Sequence, residues 1–250
     1  MGLMIERERA FEQYEAVALP PAADVVAGAL GAAVFLRRSA RPSRRAVLHL
    51  HDLTSSFAPA DLARWYNERG FHFYVTDLDP TELGTAAHLR KARTARAWFA
   101  TLESACRHLR DVDGIDAIIL SADEEAAAPA ALWCHARRAA VPVAALILSN
   151  PKFGRGLKGN LDIACPVLVI SAASHQGTGY DGGRTARAAG AVRLGQHVTW
   201  LYLDEPATGH RLGAPGREPA DPASNQRLLF DEMGRWLGAY MYGKARDQLL

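Results

Sequence analysis

From about residue 46 onward, short runs of aliphatic and β-branched residues alternate with longer stretches whose apolar residues recur at helical spacing. No other feature constrains the fold as strongly. A strand that reads as a continuous apolar run is covered on both faces. Parallel neighbours need crossovers long enough to hold a helix. Together they specify a mostly parallel sheet with helices on both faces, an α/β class fold. The strand runs are AVLHLH (46–51), FHFYVTDL (71–78), IDAIILS (115–121), VAALILS (143–149), CPVLVIS (165–171) and HVTWLYL (197–203). The helical stretches between them are 59–70, 86–109, 124–140 and 183–195, and an amphipathic segment over 225–242 closes the series. Gly70 stands where a helix C-terminus is expected. Before residue 46, the stretches 12–19 and 32–38 suit two antiparallel strands. No repeat or linker interrupts the pattern, which predicts a single domain over 1–250 with its core at about 12–242.

Composition removes several function classes. The chain has 250 residues and a formal net charge of +2, so no broad cationic face for nucleic acid is expected. Its first residues carry alternating charges instead of an apolar run, which is not a signal-peptide pattern. The apolar stretch near Val25–Leu36 contains glycines and is too short to span a bilayer. A cytoplasmic protein without membrane contact is the expectation. Cys106, Cys134 and Cys165 are odd in number and lack paired spacing, which argues against a disulfide framework. Trp98, Trp133 and Trp236 sit at helical positions and read as core. Trp65 and Tyr66 read as packing residues, and Cys134 as a buried thiol.

Four segments carry a family resemblance. The stretch 46–78 looks like the strand, oxyanion loop, helix and strand of actinobacterial serine hydrolases related to monoglyceride lipases. GIDAIILSADEEAAAPAALW (114–133) is similar to their nucleophile-elbow segment. The stretches 161–171 and 193–210 look like the strands leading to the triad acid and histidine. The element order also resembles that family, which implies an α/β-hydrolase fold. In such folds the nucleophile sits on a G-x-S-x-G turn from strand to helix. The aligned residues here are Ala122, Asp123, Glu124, Glu125 and Ala126, so the resemblance puts Glu124 at the nucleophile position. Ser121 lies three residues earlier, inside the strand.

The resemblance also implies a set of departures. Asp52 follows His51 where relatives have Gly, in the loop that helps form the oxyanion hole. A carboxylate pointing inward there would oppose an oxyanion by roughly 4 kcal/mol at ~4 Å and an effective dielectric of ~20. Asp181 is a displaced candidate for the triad acid, and His210 falls at the catalytic histidine. Only residues 150–164 stand where relatives carry a cap, so a strongly reduced cap and an open mouth are implied. Such a mouth also leaves room for a homodimer.

Three chemistries fit these residues. In the first, Glu124 acts as general base with His210 as proton donor, oriented by Asp181. His51, Asp52, Leu53, Asp123 and Glu125 line the site. Elimination, cyclisation or C–C bond formation on a small organic substrate, as in natural-product metabolism, would suit that pair. In the second, Glu124 is a carboxylate nucleophile, as Asp is in epoxide hydrolases of this superfamily. The third is a non-catalytic binding or scaffold descendant. His49 and His51 share a strand face that Asp52, Asp123, Glu124 and His210 could also approach. No helical H-E-x-x-H spacing accompanies them, so no metal is expected and His49 reads as a satisfied core residue. No nucleotide or flavin motif is present, and a reaction without cofactors is the expectation.

Overall fold

A computed structural model describes residues 15–18, 33–39, 41–51, 59–77, 95–123, 126–137, 143–151, 153, 159–172, 192–194, 197–203 and 222–242. Its strands are β1 (Glu15–Ala18), β2 (Ala33–Arg37), β3 (Arg45–His51), β4 (His72–Asp77), β5 (Ala117–Asp123), β6 (Val143–Ser149), β7 (Gly159–Asn160), β8 (Val167–Ala172), β9 (Val192–Arg193) and β10 (Val198–Leu203). Its helices are α1 (Pro59–Glu68), α2 (Ala95–Asp111), α3 (Ala127–Arg137) and α4 (Pro222–Leu237), the last continued by a π-helical turn over Gly238–Tyr242.

The main sheet has eight strands in the order β1-β2-β4-β3-β5-β6-β8-β10. The six from β4 to β10 run parallel, and β1 and β2 form an antiparallel edge. From β3 the chain steps outward to β4. From β5 it steps to β6 in the opposite direction. The β3–β5 pair is therefore the point where the winding reverses. In open α/β sheets a crevice opens there, beyond the carboxyl ends of the strands.

Period-two alternation along buried strands divides the core in two. Leu48 and Leu50 of β3, with Ile118, Leu120 and Ala122 of β5, pack with α2 and α3 around the buried Trp133. Val47 and Ile119 face the other way, into a cluster with Trp65 and Tyr66 of α1, Phe73 and Val75 of β4, and Met233 and Trp236 of α4. The odd-numbered residues His49, Ser121 and Asp123 continue that second face. The indole N–H of Trp236 donates to Thr199 Oγ1 at 3.0 Å, tying α4 to β10. After α1, Gly70 takes φ of 77° while the N–H of Phe71 bonds the Tyr66 carbonyl at 3.0 Å. This left-handed residue ends the helix where the sequence places its end.

Several boundaries differ from expectation. Strand β5 runs on to Asp123, two residues past the apolar run, because Asp123 pairs with Ser149 of β6. Helix α3 covers Ala127–Arg137 and starts at Ala127, not at 124; the rest of the expected stretch, 138–140, lies outside the described residues. The helix expected over 183–195 does not extend to its end. Val192–Arg193 instead pairs in parallel with Gly159–Asn160 as a separate two-stranded sheet. Strands this short carry no readable period. The stretch 86–94, expected to be helical, lies outside the described residues. No helix among the described residues is long and apolar enough to cross a membrane.

The buried acids of this core make a pH prediction. Burial pushes the Cys106 thiol up to about 12. Burial first, then the carboxylate of Asp113, raises the Tyr74 phenol; Tyr74 donates to Asp113 Oδ2 at 3.0 Å. Raised folded values mean that stability is full below the unfolded values of 9.0 for Cys and 10.0 for Tyr. It is lost as pH rises through and beyond them, since only the unfolded chain ionises there. The urea midpoint should be flat up to 9.0 and fall steadily above it. A midpoint unchanged into strong alkali would show that these groups titrate freely in the folded protein.

Candidate functional site

The β3–β5 junction carries a polar line inside an otherwise apolar face. His49 and Ser121 are directly opposite in the parallel register. Both are buried, at 0% and 2% exposure. His49 Nδ1 and Ser121 Oγ are 3.2 Å apart. On its other side, His49 Nε2 lies 3.4 Å from Asp123 Oδ2. Both ring nitrogens of His49 thus face a polar neighbour, and the imidazole tautomer sets which of Nδ1 and Oγ donates. At 3.4 Å the Asp123 contact is longer than a good hydrogen bond, and its attraction is mainly electrostatic. Asp123, the last residue of β5, is 8% exposed. It is the outermost member of the line along β5, and Ser121 lies two residues further into the strand.

These residues are of the same types as an acyl-transfer triad, but their order is reversed. In a triad the serine faces the substrate and the acid lies behind the histidine. Here the serine is at the more buried end, and the carboxylate is the outermost member of the line. Ser121 is buried, with 2% of its surface exposed. The line instead supports a carboxylate.

Aromatic rings fix the histidine. His49 stacks on Phe73 at 5.8 Å with 28° between planes. Phe73 stacks in turn on Tyr66 at 5.8 Å and 24°. Tyr66 is fully buried, and its hydroxyl has no hydrogen-bond partner among the described residues. Burial first, then the nearby Asp123 carboxylate, pushes ionisation of this phenol far upward, against a smaller pull from Arg69. An unpaired buried hydroxyl costs stability. Tyr66→Phe should therefore raise unfolding free energy by about 1–3 kcal/mol in urea titrations. A variant destabilised by that amount would mean that the hydroxyl has a partner after all.

The neighbouring strand end adds an unanticipated residue. Asn150, just beyond β6, adopts φ of 46°, and its N–H bonds the Ile170 carbonyl at 2.7 Å. Asn is one of the few non-glycine residues that tolerate this left-handed region. The Ser-Asn pair ending VAALILSN was the only sequence signal for this turn.

Of the expected site residues, the structure places two. Asp123 ends β5, next to His49. His51 ends β3, in register with Asp77 of β4. Glu124, Glu125, Asp52, Leu53, Asp181 and His210 lie outside the described residues. Sequence reasoning treated His49 as a satisfied core residue, of which the burial holds, and set Ser121 aside as strand interior. Their pairing with Asp123 was not foreseen, because it depends on the register of two strands 72 residues apart. Trp65, Tyr66, Trp133 and Trp236 are core residues as expected. Among the described residues, no group of three or more His, Cys, Asp or Glu is arranged to hold a metal ion.

No family model matches the chain, and no curated protein matches it. Solved structures do match. Est1E from Butyrivibrio proteoclasticus aligns with a TM-score of 0.58 at 10% identity, over 91% of this chain and 99% of that one. The Francisella virulence factor BioJ aligns with a TM-score of 0.61 at 14% identity, over 94% of this chain and 90% of that one. XC6422 from Xanthomonas campestris, an α/β serine hydrolase without a lid, aligns with a TM-score of 0.53 at 13% identity, over 76% of this chain and 84% of that one. At such identities the common property is the fold. The chain has an α/β-hydrolase fold, and only residues 150–166 join β6 to β8, where a lid would be inserted.

Proposed function

We propose that this α/β-hydrolase-fold chain is an enzyme acting on a small organic molecule, of the kind met in natural-product metabolism, by carboxylate acid–base chemistry instead of serine acyl transfer. Glu124 is the general base, His210 the proton donor and Asp181 its orienting acid. His51, Asp52, Leu53, Asp123 and Glu125 line the crevice. The observation that carries this reading is the reversed polar line. Asp123, immediately before Glu124, is the outermost member of a buried carboxylate–imidazole–hydroxyl series at the winding reversal.

Two further arguments support it. A second carboxylate next to a base disfavours its ionised form and lifts its pKa toward the working range. Glu124 and Glu125 also precede the first turn of α3 in the chain, and the positive end of a helix opposes part of that rise and favours the carboxylate form that a base needs. A base at that position removes a proton from carbon, and an imidazolium returns one to the leaving or developing oxygen. The balance suits elimination, cyclisation or C–C bond formation. The short β6–β8 connection leaves the mouth open to a bulky substrate or to a second copy of the chain.

The test combines a covalent probe with crystallography. A serine-directed fluorophosphonate should leave the protein unlabelled. Crystals soaked with the small-molecule fraction of the host should show density bounded by Glu124 and His210. Stoichiometric labelling would restore serine chemistry and overturn the proposal. So would a crevice filled by the protein's own side chains, with Glu124 turned to solvent.

A further inference from the structure

Strands β2 and β3 follow each other in the chain but are not neighbours in the sheet, because β4 lies between them. Their connection, within the arginine-rich run RRSARPSRR (37–45), therefore crosses the start of β4. His72, the first residue of β4, ties it down on both sides. The N–H of Ser39, on the β2 side, donates to His72 Nδ1 at 3.2 Å. On the β3 side, His72 Nε2 lies 2.9 Å from the Ser43 carbonyl oxygen. A backbone N–H can only donate and a carbonyl can only accept. The ring in this arrangement is neutral, with its one proton on Nε2. Serine hydroxyls brace both ends of the strap. Ser39 Oγ accepts from the Arg41 N–H at 3.2 Å, and Ser43 Oγ accepts from the Arg45 N–H at 3.1 Å.

We propose that His72 is a pH-operated latch that fastens the β2–β3 strap across β4 and opens its Ser39 end in acid. A second proton has only Nδ1 to bind, and a protonated Nδ1 cannot accept from Ser39. The Nε2 proton still donates to Ser43, so the strap opens at one end and stays tied at the other. His72 is partly exposed, so the ring is within reach of solvent protons. The charged groups around it offer no replacement bond. The strap and the start of β3 bring only cations, Arg38, Arg41, Arg44 and Arg45. Asp113, just past α2, accepts from the Tyr74 hydroxyl of β4 at 3.0 Å and lies 3.6 Å from Arg38 Nη2 and 3.5 Å from His108 Nε2. Asp116, before β5, accepts from Arg44 at 2.8 Å. The end of α1 brings Glu68 and Arg69, both exposed, and Asn67, whose carbonyl accepts from Ser39 Oγ at 3.5 Å. Among the described residues no carboxylate forms an ion pair with His72. Charging the ring therefore forfeits one hydrogen bond and gains no partner. The β1–β2 edge joins the sheet through Val34–Arg37, and Ser39 follows two residues later, so the open latch loosens that edge. Because β4 runs parallel to β5 through β3, His72 lies at the opposite sheet edge from Asp123. The latch is thus independent of the chemistry proposed above.

The test follows the full-length protein by NMR from about pH 8 to about pH 5, the span in which histidines change charge. Nitrogen shifts of the His72 ring report which nitrogen holds a proton. Hydrogen exchange, corrected for its intrinsic pH dependence, reports protection of the Ser39 amide. At the alkaline end the ring should carry its proton on Nε2 alone. As Nδ1 gains a proton, Ser39 protection should drop about tenfold, the worth of one net hydrogen bond. The Phe71 amide, bonded to the Tyr66 carbonyl at 3.0 Å, should keep its protection throughout. In His72→Asn an amide oxygen that does not titrate replaces Nδ1 as acceptor, and Ser39 protection should not respond to pH. The wild-type ring and amide decide the matter even if His72→Asn folds poorly. A proton on Nδ1 at the alkaline end, a ring still neutral at the acid end, or Ser39 protection indifferent to the charge on the ring would overturn the proposal. So would loss of Ser39 and Phe71 protection together, which is global unfolding.

Discussion

Glu124→Gln is expected to lower turnover of a cognate substrate by about 10²–10⁴-fold, the range that a positioned general base contributes. Gln keeps the length and shape of the side chain but cannot accept a proton. The loss should fall on kcat, with KM changed little, since binding contacts survive. The pH profile should lose the limb that reports ionisation of the base. Kinetics on any substrate found by ligand soaking would check this. A variant that keeps turnover within about threefold, which is ~0.7 kcal/mol of barrier, would remove Glu124 from both the base and the nucleophile roles. A loss confined to KM would mean that the side chain only binds.

His49→Ala is expected to destabilise the fold by about 3–5 kcal/mol, which combines a cavity with the loss of the buried polar contacts of the imidazole. The imidazole is fully buried between Ser121 and Asp123 and stacked on Phe73. Its removal strands a hydroxyl and a carboxylate that have little access to water. For a chain of this size the melting temperature should fall by roughly 10 °C or more. Ser121→Ala removes a smaller group and should cost about 1 kcal/mol. The double variant should lose less than the sum, with a coupling of about 0.5–3 kcal/mol, because both residues serve one bond. Additive losses would show that the 3.2 Å contact carries no energy.

Strand runs and helical periods were legible because burial on both faces of a parallel sheet leaves few positions for polar residues. The strand over 143–149 and the helix end at Gly70 fell where the residues put them. The two-residue error at the end of β5 has a physical origin. Hydropathy stops at Ser121, but the hydrogen-bond ladder continues as far as β6 offers partners, and Ser149 reaches Asp123. This shift makes Asp123 a strand residue with a fixed face instead of a turn residue. His49 on its own gave a correct but bland reading. Its meaning depends on which residue of β5 stands opposite, and register is a tertiary property.

The separation of His49 from Ser121 also bears on how the molecule is born. Their contact closes a loop of 72 residues that includes α1, β4 and α2. Loop closure of that length costs entropy before any contact repays it, and non-local pairing slows folding. The antiparallel β1–β2 edge spans far less chain. The polar line is therefore absent from any partly folded chain in which β3 has not yet met β5. A nascent polypeptide halted before residue 117 contains the imidazole but neither of its partners.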